Sequence, residues 1–239
     1  MGCTSSTAAG AGNPGSVGKK GGKIVMEYFN IGHGRGSSLE FLLAHAKADW
    51  EKNGIAFEDW PAKKQSGKTG EFGAMPIIYQ DGGAYDCSIP TLRKLAAAHG
   101  YYPSGEWAKA AVVDMISETY NDILNLWSGA ALNQELSNEA KAKVFTDSLE
   151  PTGAATKLFK IVEAQLEKNG GRFIMGNMVT MADFCMCALM FDYIMNDQNP
   201  MSGLLGPIVQ KNHPRLATYG GELKKENAGW LDSRPKSMI

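Results

Sequence analysis

The chain has 239 residues, of which 44% are hydrophobic and 21% are charged. This composition is typical of a globular protein, and the length suffices for one large domain or two small ones. The formal net charge of -1 argues against nucleic acid as a partner. The apolar stretches are much shorter than a membrane span, and the N-terminus has no apolar signal-peptide core, which favours a cytoplasmic protein.

The cysteines and histidines of the chain form no metal-spaced cluster. The four cysteines are Cys3, Cys87, Cys185 and Cys187, and none of them belongs to a CxxC motif. A disulfide framework is therefore not indicated, and the two cysteines of FCMCALMF are interpreted as small buried apolar residues. We expect no metal ion in this protein.

Residues 1–22 are rich in Gly, Ala, Ser and Thr and lack hydrophobic periodicity, which predicts a disordered tether. The first six residues, MGCTSS, fit the N-myristoylation pattern, with Gly2 as acceptor and Ser6 following. Cys3 is a candidate for palmitoylation, because a second acyl chain gives the stable membrane binding that one myristoyl chain lacks. The alternative is a chance match. The lipidation hypothesis predicts a cytoplasmic protein held peripherally on a membrane.

Hydrophobic patterning from residue 23 to residue 100 alternates between the strand period and the helix period. Glycines and an Asp-Gly-Gly sequence mark turns between the elements. The predicted elements are a strand at Lys23–Phe29, a helix from Ser37 or Ser38 to about Asn53, a short strand at Ala56–Glu58, a loop at 61–73, a strand at Pro76–Tyr79, a hairpin turn at Asp81–Gly83 and a helix from Ser88 to about His99.

The rest of the chain has a helical pattern almost throughout. Apolar residues recur at helical spacing over Trp107–Leu132 and again over Pro151–Lys168. Thr180 and Asp183 form a capping-box sequence that opens an apolar helix predicted to be the core of this part. We therefore expect a first domain at 23–100, an all-helical domain at 105–225 and a C-terminal tail at 226–239.

Four motifs of the sequence resemble the glutathione transferases, and the sigma class most closely. In chain order they are KIVMEYFNIGHGRG, FGAMPIIYQDG, DCSIPTLRKLA and NMVTMADF. The resemblance covers about residues 23–220 and implies a thioredoxin-like α/β domain followed by an all-α domain. The chain departs from the family pattern in two places. The first turn has one additional residue, with His33 where Arg is common, and Cys87 stands where Gln is usual.

The first motif implies the catalytic residues. By resemblance, Tyr28 donates a hydrogen bond to the sulfur of glutathione, which favours the nucleophilic thiolate. Arg35 would support this site, and Phe29 follows the tyrosine in the glutathione-binding motif. The alternative for Tyr28 is core packing with a satisfied hydroxyl, and the alternative for Arg35 is a salt bridge at the surface or between domains.

The second and third motifs imply contacts with the backbone and glutamyl end of glutathione. By resemblance, the Met75–Pro76 bond is cis and the backbone of Met75 faces the cysteinyl amide. Ser88 is expected to cap its helix and to bind the glutamyl carboxylate at the helix N-terminus. Cys87 lacks the amide donors of Gln, so we expect weaker binding of glutathione and consider glutathionylation of this thiol.

The same resemblance assigns Trp60 and Lys64 to the glycine carboxylate of glutathione, although Trp60 could instead anchor its loop. Asp122 matches an acidic residue that reaches the glutathione amine of a partner subunit, which predicts a homodimer. A small hydrophobic electrophile is expected to bind between the domains. Its candidate lining residues are Ile31, Trp127 and Met195.

Three functions remain open at this point. The first is a transferase in which the glutathione thiolate attacks an electrophilic carbon or a hydroperoxide. The second is a glutathione-dependent isomerase similar to prostaglandin D synthases, and the third is a non-catalytic scaffold or binding protein with the transferase fold. A disulfide reductase is excluded, because that chemistry places a cysteine at the end of the first strand.

Overall fold

The computed structural model describes residues 22–30 and 32–237. The predicted tether with Gly2 and Cys3 lies outside these residues, as does Ile31. The strands are β1 (Ile24–Phe29), β2 (Trp50–Ile55), β3 (Ile77–Gln80) and β4 (Gly83–Tyr85). They form one sheet in the order β2-β1-β3-β4, in which β2 is parallel to β1 and the other pairs are antiparallel.

Ten α-helices accompany the sheet in the part of the chain that the structure describes. They are α1 (Ser37–His45), α2 (Trp60–Gln65), α3 (Ser88–His99), α4 (Trp107–Leu132), α5 (Asn138–Ser148), α6 (Ala154–Asn169), α7 (Met181–Leu189), α8 (Ser202–Asn212), α9 (Pro214–Glu226) and α10 (Ala228–Ser233). Helix α7 continues through a π-helical turn at Met190–Ile194. The first part of the chain is therefore mixed α/β and the second part is all-helical, as the sequence predicted.

The region between β1 and β3 corrects three sequence predictions. Helix α1 ends at His45 rather than near Asn53, and Lys47 takes a left-handed backbone with φ 50°. The second strand is Trp50–Ile55, and Ala56–Glu58 lies beyond it. This strand lies at the edge of the sheet, and its residues are half-buried or exposed. Its polar sequence was therefore mistaken for the last turns of the preceding amphipathic helix. Residues 60–65 form α2, where we predicted a loop.

Helix α7 forms the centre of the helical part, and all of its residues are buried. The predicted capping box at its start is present, with Asp183 accepting hydrogen bonds from the Thr180 backbone N–H and hydroxyl. Helix α1 packs against α7, and α3 packs against both α1 and α4. The 3₁₀ turn Gly34–Gly36, which follows β1, contacts α4 and so brings the end of the first strand next to the helical part.

Within the described ranges, no helix combines the length and apolar character needed to cross a membrane. The same residues contain no group of three or more His, Cys, Asp or Glu side chains arranged to hold a metal ion.

Candidate functional site

A cleft of about 460 Å³ lies between the end of β1 and helix α4. One side consists of the turn after β1, the start of α2 and the loop before β3. The other side is a stretch of α4. The described lining residues are Tyr28, Phe29, Gly32, His33, Gly34, Arg35, Phe57, Trp60, Lys64, Gly73, Ala74, Met75, Asn125, Ser128, Gly129 and Leu132. The cleft therefore brings together six of the residues that the sequence predicted for the site, from Tyr28 to Met75.

Tyr28 is the last but one residue of β1 and is only 7% exposed. Its hydroxyl oxygen accepts a hydrogen bond of 2.9 Å from the backbone N–H of Arg35. Burial raises the pKa of Tyr28 to about 12, against the opposing effects of that N–H and the charge of Arg35. The hydroxyl therefore stays protonated near neutral pH. Because its oxygen is the acceptor in this bond, its proton remains available to a ligand in the cleft.

Two glycines make room for this tyrosine. A Cβ on Gly34 would lie 2.7 Å from the Tyr28 hydroxyl oxygen, and a Cβ on Gly36 would lie 3.2 Å from the Tyr28 ring. Gly34 also has a positive φ of 41°, which a side chain would disfavour. The glycine-rich turn is thus the local reason why the Arg35 N–H reaches the tyrosine.

Aromatic and cationic side chains form the wall beside Tyr28. Phe29 stacks on Phe57 with ring centroids 4.4 Å apart and meets the edge of Trp60 at 5.9 Å. The Lys64 ammonium lies 5.4 Å from the centre of the Trp60 ring. Arg35 is exposed at the cleft, and among the described residues its guanidinium pairs with no carboxylate. This wall offers two cations and apolar surface to an anionic ligand.

The loop before β3 supplies the backbone edge of the cleft. The Met75–Pro76 bond is cis, as predicted, and Met75 lines the cleft. Asp86 stabilises the conformation of this loop. Its Oδ2 accepts hydrogen bonds from the backbone N–H groups of Phe72 (3.0 Å) and Ala74 (3.1 Å). Sequence reasoning missed Asp86, because its partners are twelve and fourteen positions away and no local motif marks the contact.

Cys87 and Ser88 lie at the start of α3 and are not part of the cleft lining. The prediction that Ser88 caps this helix is wrong by one position, because the N-cap is Cys87 and Ser88 is the first helical residue. Cys87 has a left-handed backbone with φ 67° and forms no side-chain cap. Burial, and then the charge of Asp86, raise the pKa of its thiol, so the thiolate is disfavoured.

The predicted lining of the electrophile site needs correction. Trp127 is fully buried in the helical core, where its indole N–H donates to the Ser148 hydroxyl at 2.9 Å. Met195 belongs to a different groove near the C-terminus. The face of α4 that lines the cleft instead consists of Asn125, Ser128, Gly129 and Leu132. The sequence predicted the correct helix but placed the lining one position away from Ser128, since helical phase decides which face is exposed. Asp122 is exposed on α4, outside the cleft lining.

A buried polar network lies directly behind the turn, and sequence reasoning did not assign it. His33 lines the cleft and contacts Glu40, which is fully buried. The Lys52 ammonium pairs with Glu40 at 2.6 Å and lies 5.6 Å from the centre of the Tyr28 ring. Burial alone raises the pKa of Glu40, but His33 and Lys52 outweigh it and hold the pKa below its usual value. The only sequence signal was His33 itself, as a departure from a family motif.

Comparison with known proteins identifies several relatives. The family profile "Glutathione S-transferase, C-terminal domain" matches residues 121–225. The chain is 29% identical to the hematopoietic prostaglandin D synthase of Gallus gallus, over 90% of this chain and 98% of the relative. It is 30% identical to the probable glutathione S-transferase 6 of Caenorhabditis elegans, over 66% and 74% of the two chains.

A solved structure adds a likeness in three dimensions. The Nu-class glutathione transferase from Haemonchus contortus superposes with a TM-score of 0.71 at 25% identity, covering 91% of this chain and 99% of that one. Together with the element order, these likenesses confirm the predicted fold class, a four-stranded α/β part followed by a helical part.

Proposed function

The chain belongs to the glutathione S-transferase family and has its transferase function, and we propose that Tyr28 is the residue that activates the glutathione thiol. One observation carries this proposal. The Tyr28 hydroxyl faces the cleft while its oxygen accepts the N–H of Arg35, so its own proton is free to bind a sulfur. A neutral donor that does not itself ionise near pH 7 suits this role, and the raised pKa of Tyr28 keeps it neutral.

The chemistry follows from the ionisation of a thiol. A free cysteine thiol has a pKa of about 8.5, so most of it is protonated at neutral pH, whereas the thiolate is the nucleophile. A hydrogen bond to the sulfur stabilises the thiolate and lowers the thiol pKa, and the positive charge of Arg35 acts in the same direction. The thiol proton leaves to solvent. The thiolate then attacks an electrophilic carbon and displaces its leaving group as an anion. With a hydroperoxide it attacks the terminal oxygen, the O–O bond breaks, the alkoxide leaves as the alcohol after protonation by solvent, and the resulting glutathione sulfenic acid reacts with a second glutathione to give the disulfide and water.

The rest of the cleft supports an orientation for glutathione. Its glycine carboxylate would meet Lys64 and the indole N–H of Trp60, with Phe29 packing against the tripeptide. The backbone of Met75 would pair with the cysteinyl amide beside the cis bond to Pro76. The glutamyl carboxylate would lie at the N-terminus of α3, where Cys87 and Ser88 begin the helix, because helix N-termini favour anions.

The electrophile would bind against α4. This wall combines the amide of Asn125, the hydroxyl of Ser128 and the apolar side chain of Leu132. The Ser128 hydroxyl donates to the carbonyl of Leu124 at 2.6 Å, so towards the cleft its oxygen can act only as an acceptor. We therefore expect a small, largely hydrophobic electrophile that also carries a polar group.

The first test is binding to glutathione resin, followed by conjugation of an aryl halide by the eluted protein. Tyr28→Phe should reduce kcat about 10- to 100-fold, the equivalent of one hydrogen bond to a charged group, with little change in the KM for glutathione. Tyr79→Phe is the matched control, because its hydroxyl contacts Glu27 and Lys68 outside the cleft. Equal turnover by the two variants would remove Tyr28 from the mechanism. Failure of the native protein to bind or turn over would favour a scaffold.

A glutathione-dependent isomerase is the second candidate, supported by the likeness to the prostaglandin D synthase over 98% of that relative. The same thiolate would serve both reactions. Synthesis of prostaglandin D by the purified protein, measured with and without glutathione, distinguishes them. Glutathione-dependent product formation together with weak aryl halide conjugation would assign the isomerase.

A homodimer is the assembly we propose. On α4, Met115, Asp122 and Leu126 recur at spacings of seven and four residues and so share one side of the helix. Met115 is 60% exposed and Leu126 is 42% exposed, so this side of α4 presents apolar surface that a second subunit can cover. Asp122 would then lie at the subunit interface, from which it could neutralise the amine of glutathione bound to the partner.

Membrane attachment through the N-terminus is a separate proposal that rests on the sequence MGCTSS. Acylation at Gly2 and Cys3 would hold the protein peripherally on the cytoplasmic side of a membrane. Gly2→Ala should move the expressed protein from the membrane fraction to the soluble fraction, and Cys3→Ser should weaken retention in part. Unchanged fractionation of the Gly2→Ala variant would refute the anchor.

A further inference from the structure

The C-terminal segment Arg234–Ser237 returns to the turn that carries the site. The carbonyl of Pro235 accepts a hydrogen bond of 2.9 Å from Nε2 of His33, 202 positions earlier in the chain. The carbonyl of Ser237 accepts another from the Asn196 amide at 2.9 Å. The contact of Pro235 with His33 connects the end of the described chain to the wall of the cleft, and the contact of Ser237 with Asn196 holds the segment in the neighbouring groove.

Arg234 anchors this segment in the protein interior. Its guanidinium donates to the carboxylate of Asp192 at 2.8 Å and to the carbonyl of Phe191 at 2.7 Å. It also lies 5.2 Å from the centre of the Phe41 ring on α1. Asp192 is completely buried, so moving Arg234 away would leave an uncompensated buried charge, and this cost keeps the segment in place.

His33 contacts an acceptor at each ring nitrogen. Its Nδ1 lies 2.6 Å from a Glu40 carboxylate oxygen, and its Nε2 faces the Pro235 carbonyl. Neither partner can donate, so both hydrogen bonds exist together only when both ring nitrogens carry protons. The nearby negative charges are the buried carboxylates of Glu40 and Asp192, and the nearby positive charges are those of Lys52 and Arg234.

The same network reaches the catalytic turn. Lys52 pairs with Glu40 and also donates to the carbonyl of Gly32 at 2.9 Å, directly before His33. Arg35, two residues after His33, donates its backbone N–H to the Tyr28 hydroxyl. The turn is therefore held on its inner side by Glu40 and Lys52 and, through His33, by the C-terminal segment.

We propose that His33 is a positioning residue that ties the C-terminal segment to the catalytic turn and so holds the Arg35 N–H on the hydroxyl of Tyr28. The inference rests on the proposed role of Tyr28. It adds that the geometry of the site depends on residues at the far end of the chain. Loss of either hydrogen bond of His33 lets the turn relax, which weakens the bond from Arg35 to Tyr28 and changes where the tyrosine proton points.

Hydrogen exchange of the Arg35 backbone amide tests this directly and needs no ligand. The variants are His33→Gln and a chain that ends at Arg234, which keeps the buried ion pair but lacks the Pro235 carbonyl. Both should exchange the Arg35 amide about tenfold faster or more, as expected for loss of one hydrogen bond. Lys236→Ala is the control, because this exposed side chain has no hydrogen bond or ion pair among the described residues. It should match the native protein.

The second readout is the pKa of the thiol of bound glutathione, followed by thiolate absorbance. Both variants should raise it by about one unit relative to the native protein, while their melting temperatures report any general loss of structure. Native exchange at Arg35 in both variants would overturn the positioning role. If native protein fails to bind glutathione, the proposed function fails, and the exchange experiment still decides whether His33 holds the turn.

Discussion

At the scale of single residues, the proposed catalytic role rests on the placement of one hydroxyl group. Tyr28 is held by the N–H of Arg35, and the space it occupies exists because Gly34 and Gly36 have no side chains. Tyr28, Arg35 and the glycines could be predicted, because they lie within one short motif. His33 could be seen only as a departure from that motif, since its partner Pro235 is 202 positions away and no local pattern reports it.

Gly34→Ala tests the tyrosine through its surroundings. The new methyl group would lie 2.7 Å from the hydroxyl oxygen and would displace it from the Arg35 N–H. We expect kcat for aryl halide conjugation to fall about tenfold or more, because the hydrogen bond to the thiolate is weakened. Steady-state kinetics with saturating glutathione provide the measurement.

Gly67→Ala is the matched control for this change. Gly67 also has a positive φ, 68°, but no atom lies within 4 Å of its Cβ position. Both variants should lose about 1 kcal/mol of stability from backbone strain, and only Gly34→Ala should lose activity. Equal activity of the two variants would contradict the packing account of Tyr28.

At the scale of elements, sequence patterns gave the correct type where an element is long or has a distinctive end. Helix α4 has the predicted limits, Trp107–Leu132, and the capping box of α7 is present. The short elements were misjudged. Strand β2 is stabilised by parallel pairing with β1, a contact between distant positions that overrides its polar local sequence. The sequence analysis also assigned the wrong face of α4 to the cleft, because the face that a helix turns towards a cleft depends on how the helix packs.

Asp86→Ala is the prediction at this scale, because Asp86 joins the loop before β3 to the start of α3. The variant would leave the N–H groups of Phe72 and Ala74 without their acceptor. We expect a stability loss of about 1–3 kcal/mol and a higher KM for glutathione, since the loop also carries Met75. Urea denaturation and initial-rate kinetics measure the two effects.

The control for this variant is Asp81→Ala. Asp81 accepts one hydrogen bond, from the Gly22 N–H, at the exposed end of the sheet. Alanine is also strained at this position, where φ is 52°, so we expect a stability loss of up to about 1 kcal/mol and an unchanged KM. A normal KM for Asp86→Ala would show that the loop keeps its shape without this carboxylate.

At the scale of the whole molecule, the sheet part and the helical part meet at the cleft. Association into a homodimer was predicted from the sequence only by resemblance to the family. The exposed apolar side of α4 supports a second copy as its occupant. Leu126→Lys should therefore convert a dimer into a monomer, because a charge would be buried at the interface. Sedimentation at several concentrations measures this.

Ile161→Lys serves as the matched control for the assembly. Ile161 is 47% exposed, close to the 42% of Leu126, but it lies on α6. This variant should keep the native association state. Dissociation of both variants, or of neither, would contradict α4 as the contact surface.

The proposed function depends above all on stabilisation of the glutathione thiolate by the Tyr28 hydroxyl. The most direct measurement is a pH titration of thiolate absorbance for glutathione bound to the native protein and to Tyr28→Phe. Since the pKa of Tyr28 is about 12, the tyrosine remains a donor throughout this titration. We expect the pKa of the bound thiol to lie clearly below about 8.5 in the native protein and to return towards about 8.5 in the variant, so that the activity deficit of the variant shrinks as pH rises. The same thiol pKa in both proteins would contradict it.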